Sequence, residues 1–242
     1  MLLNVALLLQ ADYLMLLMKQ QIDENVATSQ QLQAFLTWVS LKSQSVPADY
    51  KPVTVRAFYF DLALARDNAL VPCTLDLART FNRTLTCNLE RNLALDLALD
   101  RALGLDQVVD LILDPNLVFE RVLSRAQNHA RALDPDLERA LQQLKEQLPD
   151  KGKDPERFKQ WWSARGGAWT EHLRAVMIEY RNLGHNWQFS NQQREALKQY
   201  KDANSMLVDC LNSYCYVTKT LRSKIEKTLL LPIAQMRVAT CT

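Results

Sequence analysis

At 242 residues, 48% hydrophobic and 23% charged, the chain can bury its own core without metal or disulfide staples, and this balance excludes a disordered polymer. Its 29 basic and 27 acidic residues nearly cancel, which removes the charge excess that a nucleic acid or an anionic membrane would need as main partner. Only five glycines occur, none before Gly104, too few for the tight turns of an all-β fold, so the composition predicts an all-α protein.

The chain opens on MLLNVALLLQADYLMLLMK. No basic segment precedes this apolar run and no small-residue cleavage site follows it, so it does not read as a signal peptide. Asn4, Gln10 and Asp12 interrupt it, which makes it a poor membrane span. It reads instead as a buried helix, an abrupt start that suits the remnant of a longer parent chain. Thr28 with Gln31 forms a candidate capping box ahead of Leu32, Phe35, Leu36 and Val39. Pro52 stands at a first-turn position before Val55, Phe58, Tyr59 and Leu62.

Residues 73–105 alternate with period two, the strand signal, yet contain no Val or Ile and no Pro or Gly before Gly104. Leu77, Phe81, Leu85, Leu89, Leu93 and Leu97 also recur every four residues, and Leu, Ala and Arg are strong helix formers. The segment is expected to be helical, an expansion of Leu-Asp and Leu-Ala units, with a β-solenoid insert as the competing reading. Beyond it, Asp114-Pro115, Asp134-Pro135 and Asp154-Pro155 each place an N-cap carboxylate before a first-turn proline. The apolar stripes that follow predict helical hairpins with short connectors. Gly166-Gly167 reads as a turn. A separate helix is expected over Trp169, Leu173, Val176, Met177 and Tyr180, ending near Gly184. Ser190 with Gln193 is a second capping box, opening the stripe Leu197, Tyr200, Asn204, Leu207, Val208 and Leu211. A last helix is expected from about Thr218 to Leu231, stopped by Pro232. These signals divide the chain into N-terminal helices (1–72), a Leu/Asp/Ala/Arg-rich segment (73–113) and a C-terminal helical block (114–242).

No P-loop, G-x-G-x-x-G, H-E-x-x-H or G-x-S-x-G motif occurs, so no catalytic, cofactor-binding or metal-binding residue is assigned and the chain is read as non-enzymatic. Five cysteines (Cys73, Cys87, Cys210, Cys215 and Cys241) are an odd, scattered set, read as reduced thiols of a cytoplasmic protein. Cys210 and Cys215 lack the second pair or the histidine that a zinc site needs. Among His129, His172 and His185, the last lies in Arg181-Asn-Leu-Gly-His185, one residue short of the R-x4–6-H motif of HEPN ribonucleases, which it resembles. Arg125 and His129 repeat the short spacing without the Asn. The structural alternative has His185 and Trp187 fixing a helix-to-helix corner. Trp161, Trp162, Trp169 and Trp187 alternate with basic residues but fall at helical spacing, which reads as core rather than as a base-stacking platform. The charges of LERNLALDLALDRALGLD read as a solvated helix face.

One block carries a family likeness. Trp161-Trp162, Gly167, Trp169-Thr170-Glu171, Leu173 to Ile178, Arg181-Asn182, Gly184-His185 and Trp187 to Ser190 resemble the second type of C-terminal helical region of bacterial NACHT conflict-system proteins. Leu207 to Asn212, Leu229 to Ile233 and the upstream Val55 to Phe60 fit the same pattern. In that family a STAND-class NTPase precedes helical regions that sense a ligand or hold the switch closed, often in anti-phage defence. The resemblance implies a regulatory or interaction module whose partner is a NACHT NTPase or a trigger ligand. It implies no activity here, because the chain begins at the helical region. A functionless fragment of a NACHT protein is the bland alternative.

Overall fold

The computed structural model describes residues 2–44, 51–67, 91–149, 154–213 and 217–241. Among them are ten α-helices, one 3-10 helix (Leu105–Leu111) and no strand, so the all-α expectation holds. In chain order the helices are α1 (Leu2–Ala27), α2 (Gln30–Gln44), α3 (Pro52–Asp67), α4 (Arg91–Gly104), α5 (Pro115–Ala130), α6 (Pro135–Glu146), α7 (Pro155–Arg181), α8 (Asn191–Asn212), α9 (Lys219–Thr228) and α10 (Ile233–Cys241). Of the period-two segment, Arg91–Gly104 is helical and residues 73–90 lie outside the described residues. The described residues fall into two compact units, one within Met1–Ala65 and Phe189–Thr242, the other within Cys87–Gln188.

In the first unit α3 is buried on every side. Every residue from Val53 to Ala63 is buried, including Thr54, Arg56 and Asp61. A helix with neighbours all round needs apolar residues all round, and Phe58, Tyr59 and Phe60 supply them in succession. Phe60 meets Phe35 of α2 edge-on at 5.3 Å and Tyr200 of α8 at 5.8 Å. Phe189, ahead of α8, closes on Phe35 at 5.6 Å. The buried charges of α3 are matched: Asp61 pairs with Lys201 at 3.1 Å. Arg56 donates from Nε to the Leu229 carbonyl (2.8 Å) and from Nη2 to those of Glu226 (3.0 Å) and Lys227 (3.1 Å). A cation thereby fills the C-terminal end of α9, where carbonyls lack intrahelical donors. The stripe Leu197, Tyr200, Asn204, Leu207, Val208 and Leu211 on α8 is buried as its spacing predicts.

In the second unit the three Asp-Pro pairs act alike. Asp114 accepts from the Leu117 amide at 3.0 Å, Asp134 from Leu137 at 3.0 Å, and Asp154 from Glu156 at 3.1 Å. Each following proline occupies the first helical turn, where its missing N–H removes no bond. Replacing Asp154 with alanine is expected to lower stability by about 1 kcal/mol; a change under a few tenths in the denaturant midpoint analysis would show that the cap contributes little. Phe119, Phe158 and Trp169 form the aromatic centre with the half-buried Trp162, and Trp169 Nε1 donates to the Leu144 carbonyl at 2.9 Å. Trp169 is core, as its spacing predicts, whereas Trp161, Trp162 and Trp187 are half-buried.

Five expectations are corrected. The charges of α4 do not all lie on a solvated face: Asp96 and Asp100 are buried, and Asp96 pairs with Arg181 at 2.7 Å. Gly166-Gly167 is not a turn: α7 runs unbroken for 27 residues through both glycines. The α2 cap is Ser29, whose Oγ accepts from the Leu32 amide at 3.3 Å, while Thr28 donates back to the Asn25 carbonyl and ends α1. Pro232 does not close the chain's last helix. The α9 helix already ends at Thr228, and Pro232 accepts from the amides of Gln235 and Met236, opening α10. The apolar run in α1 is not wholly buried, a point taken up below.

Candidate interaction surface

The Arg181–His185 motif is a helix terminus. Arg181 is the last residue of α7, and Asn182 follows in the left-handed conformation (φ 46°), its amide bonded to the Ile178 carbonyl. Gly184 also has positive φ (87°), which a side chain would strain, and its missing Cβ would sit 3.2 Å from Met177 Cβ. Asn and Gly at these places are what a left-handed helix end selects. Arg181 Nε binds the buried carboxylate of Asp96 at 2.7 Å, and His185 Nε2 shares a hydrogen bond with Asn182 Oδ1 at 2.9 Å. His185 and Trp187 lie ring to ring at 6.2 Å. Both motif residues therefore have a structural employment: Arg181 ties α7 to α4, and His185 braces the turn.

The remaining candidates are scattered. His172 is exposed and His129 half-buried on different helices. Cys210 is a half-buried free thiol, and Cys73, Cys87 and Cys215 lie outside the described residues. Among the described residues no three His, Cys, Asp or Glu side chains gather as metal ligands would.

Among the features that sequence reasoning placed wrongly, α1 is the one that leaves large apolar side chains in water. Met15, Lys19, Ile22 and Val26 form its buried face. On the opposite face Tyr13, Leu14, Leu16 and Leu17 are 62%, 55%, 44% and 42% exposed. Gln20, Gln21 and Glu24 continue that solvent face in polar form. The apolar patch thus ends sharply at one turn of a continuous helix. Asp12 fixes the register. Its carboxylate accepts from the Thr218 amide (2.9 Å) and hydroxyl (2.8 Å) at the start of α9, where the helix dipole favours an anion.

Alongside the patch runs a groove of about 600 Å³ between α1 and the α9–α10 corner, with Leu16, Leu17, Ile225, Ile233 and Met236 among its walls. Lys19 lies in it, bonded to Asp23 at 2.6 Å and touching Met236 Sδ at 3.8 Å. Burial pulls the Lys19 ammonium below its usual range and pushes the Asp23 carboxyl above its own, each opposed by the other's charge. Their mutual pairing leaves Leu16, Leu17, Ile225, Ile233 and Met236 as the apolar wall of a groove that Glu24 and Lys224 also line. No described helix is long and apolar enough to cross a membrane. A cluster of large apolar side chains beside a groove with an apolar wall is a surface suited to a protein helix.

Comparison with known families gives one match. Residues 137–232 match the family described as NACHT C-terminal helical domain 2. The match takes in the tryptophan-rich α7, the Asn182–Gly184 helix end, α8 and α9, and leaves Val55 to Phe60 outside it. No curated protein and no solved structure matches the chain.

Proposed function

We infer that this chain, which carries a NACHT C-terminal helical domain 2 over residues 137–232, works as a non-catalytic regulatory module that engages a NACHT-type NTPase in the bacterial cytoplasm. The family match is the observation that carries this reading, and anti-phage signalling is the setting it suggests. The surface assigned to the contact is the α1 patch of Tyr13, Leu14, Leu16 and Leu17. Helix-in-groove recognition draws its affinity from such apolar anchors, each adding about 1.5–3 kcal/mol when fully buried. The test is affinity capture of the full chain from cells of its source. A NACHT NTPase should be recovered with the wild-type chain, and at least tenfold less with Leu16→Glu/Leu17→Glu at unchanged thermal stability. Recovery of no NACHT protein would sink the partner, and equal recovery by the double variant would sink the surface.

A further inference from the structure

A second cavity in the same unit is built differently. It measures about 340 Å³ and lies between the end of α1, the start of α2 and one face of α8. Pockets of this size take small ligands or a few residues of a peptide. Its floor is apolar: Ile22, Leu32, Phe189, Leu197 and Tyr200, each nearly buried but facing the void. Around it stand the carboxamides of Asn25, Gln31, Gln193 and Gln199, with the hydroxyls of Thr28 and Ser29. On the α8 side Ala196 and Ala203 leave the room that larger residues would fill.

No lining residue is an Asp, Glu, Lys, Arg or His. An ion entering such a site would lose its hydration with no countercharge in return, so the occupant is uncharged. Its polar chemistry follows from the rim. Gln193 Nε2 donates to Gln31 Oε1 across the cavity, joining α8 to α2. Gln193 Oε1 is held by the Ser190 amide at 2.8 Å, which fixes the direction of that donor. A peptide group has the same donor and acceptor pair as a carboxamide. It can replace this contact once the Gln31 side chain swings aside, its carbonyl taking the Gln193 donor and its N–H giving to Gln31 Oε1, so that one hydrogen bond is exchanged for two.

We propose that this cavity binds an uncharged peptide segment, seating one apolar side chain on the Phe189–Tyr200 floor and its flanking amide between Gln31 and Gln193. This ligand site is separate from the α1 patch, and its test does not depend on the NACHT partner. The probe is N-acetyl-L-phenylalanine methylamide, titrated into the full chain and followed by amide and methyl NMR shifts of residues around the cavity.

Binding with a Kd on the order of 1 mM or tighter is expected for so small a ligand. Zwitterionic phenylalanine should bind at least tenfold more weakly. Ala203→Leu and Ala196→Leu, which fill the void from α8, should each weaken the probe at least fivefold. Ala196 is exposed on the helix, so its leucine variant folds even if that at Ala203 does not. The proposal is overturned if the probe does not bind, if free phenylalanine binds equally, or if Ala196→Leu binds as wild type does. Ethylbenzene binding as tightly as the probe would overturn the role of the amide.

Discussion

Replacing Arg56 with methionine is expected to destabilise the chain by about 3 kcal/mol, although methionine nearly preserves the side chain's volume. Arg56 is only 5% exposed, and burial pulls its pKa down to about 10. That shift is the signature of a cation held where water cannot solvate it. What offsets the burial is the set of three carbonyls, Glu226, Lys227 and Leu229, that the guanidinium satisfies at the end of α9. Leu230 follows with φ 59°, an uncommon conformation for a leucine that turns the backbone into the α9–α10 corner. Methionine removes the desolvation cost of the charge but leaves those acceptors without their donor, at roughly 1–3 kcal/mol each.

The two contributions oppose one another, and the acceptors outnumber the cation. Lysine at this position should recover less than half of the loss, because an ammonium cannot fork across three carbonyls as a planar guanidinium does. Urea denaturation gives the magnitude, and hydrogen exchange at the amides of residues 225–231 gives the location. A loss below about 1 kcal/mol, or exchange unchanged at the α9 end, would mean that water replaces the arginine there.

The sequence made local features legible and left non-local ones hidden. Asp114, Asp134, Asp154 and the Ser190–Gln193 box cap their helices as spacing alone predicts, because a cap bonds amides two or three residues away. Arg56 is different. Its partners lie about 170 residues on, and nothing near it in sequence marks it as a helix cap. The α1 run shows the same limit from the other side. An apolar stretch signals that some face will be covered, but which residues remain in water depends on where α9 and α10 arrive. Asp12 decides that here by meeting Thr218. The candidate peptide site was equally illegible, since Gln31 and Gln193 meet across 162 positions. At Arg181–His185 the signal present is a helix-end signal, carried by Asn182 and Gly184.

Gly166 and Gly167 turn one of the misread features into a measurement. Both lie inside α7, where alanine is intrinsically favoured over glycine by about 0.8–1.0 kcal/mol. At Gly167 a new Cβ meets nothing within 4 Å, so Gly167→Ala should stabilise by up to that amount. At Gly166 the same atom would lie 2.6 Å from Cδ2 and 2.9 Å from Cγ of Trp162. Trp162 cannot move aside cheaply, because its ring is packed against Phe119 at 4.9 Å, Phe158 at 5.6 Å and Trp169 at 5.8 Å. Overpacking of this kind costs roughly 1–3 kcal/mol. The propensity gain is common to both variants, so the difference between them isolates the clash and should fall in that range, with Gly166→Ala the less stable. Near-UV circular dichroism should change for Gly166→Ala alone, since only that variant disturbs the tryptophan cluster. Equal stabilities would show that the indole yields, and that glycine at 166 serves no packing purpose. A difference of the expected size would assign Gly166 to close approach of a ring to the helix backbone, which is why a pair of glycines can stand in the middle of a long helix without breaking it.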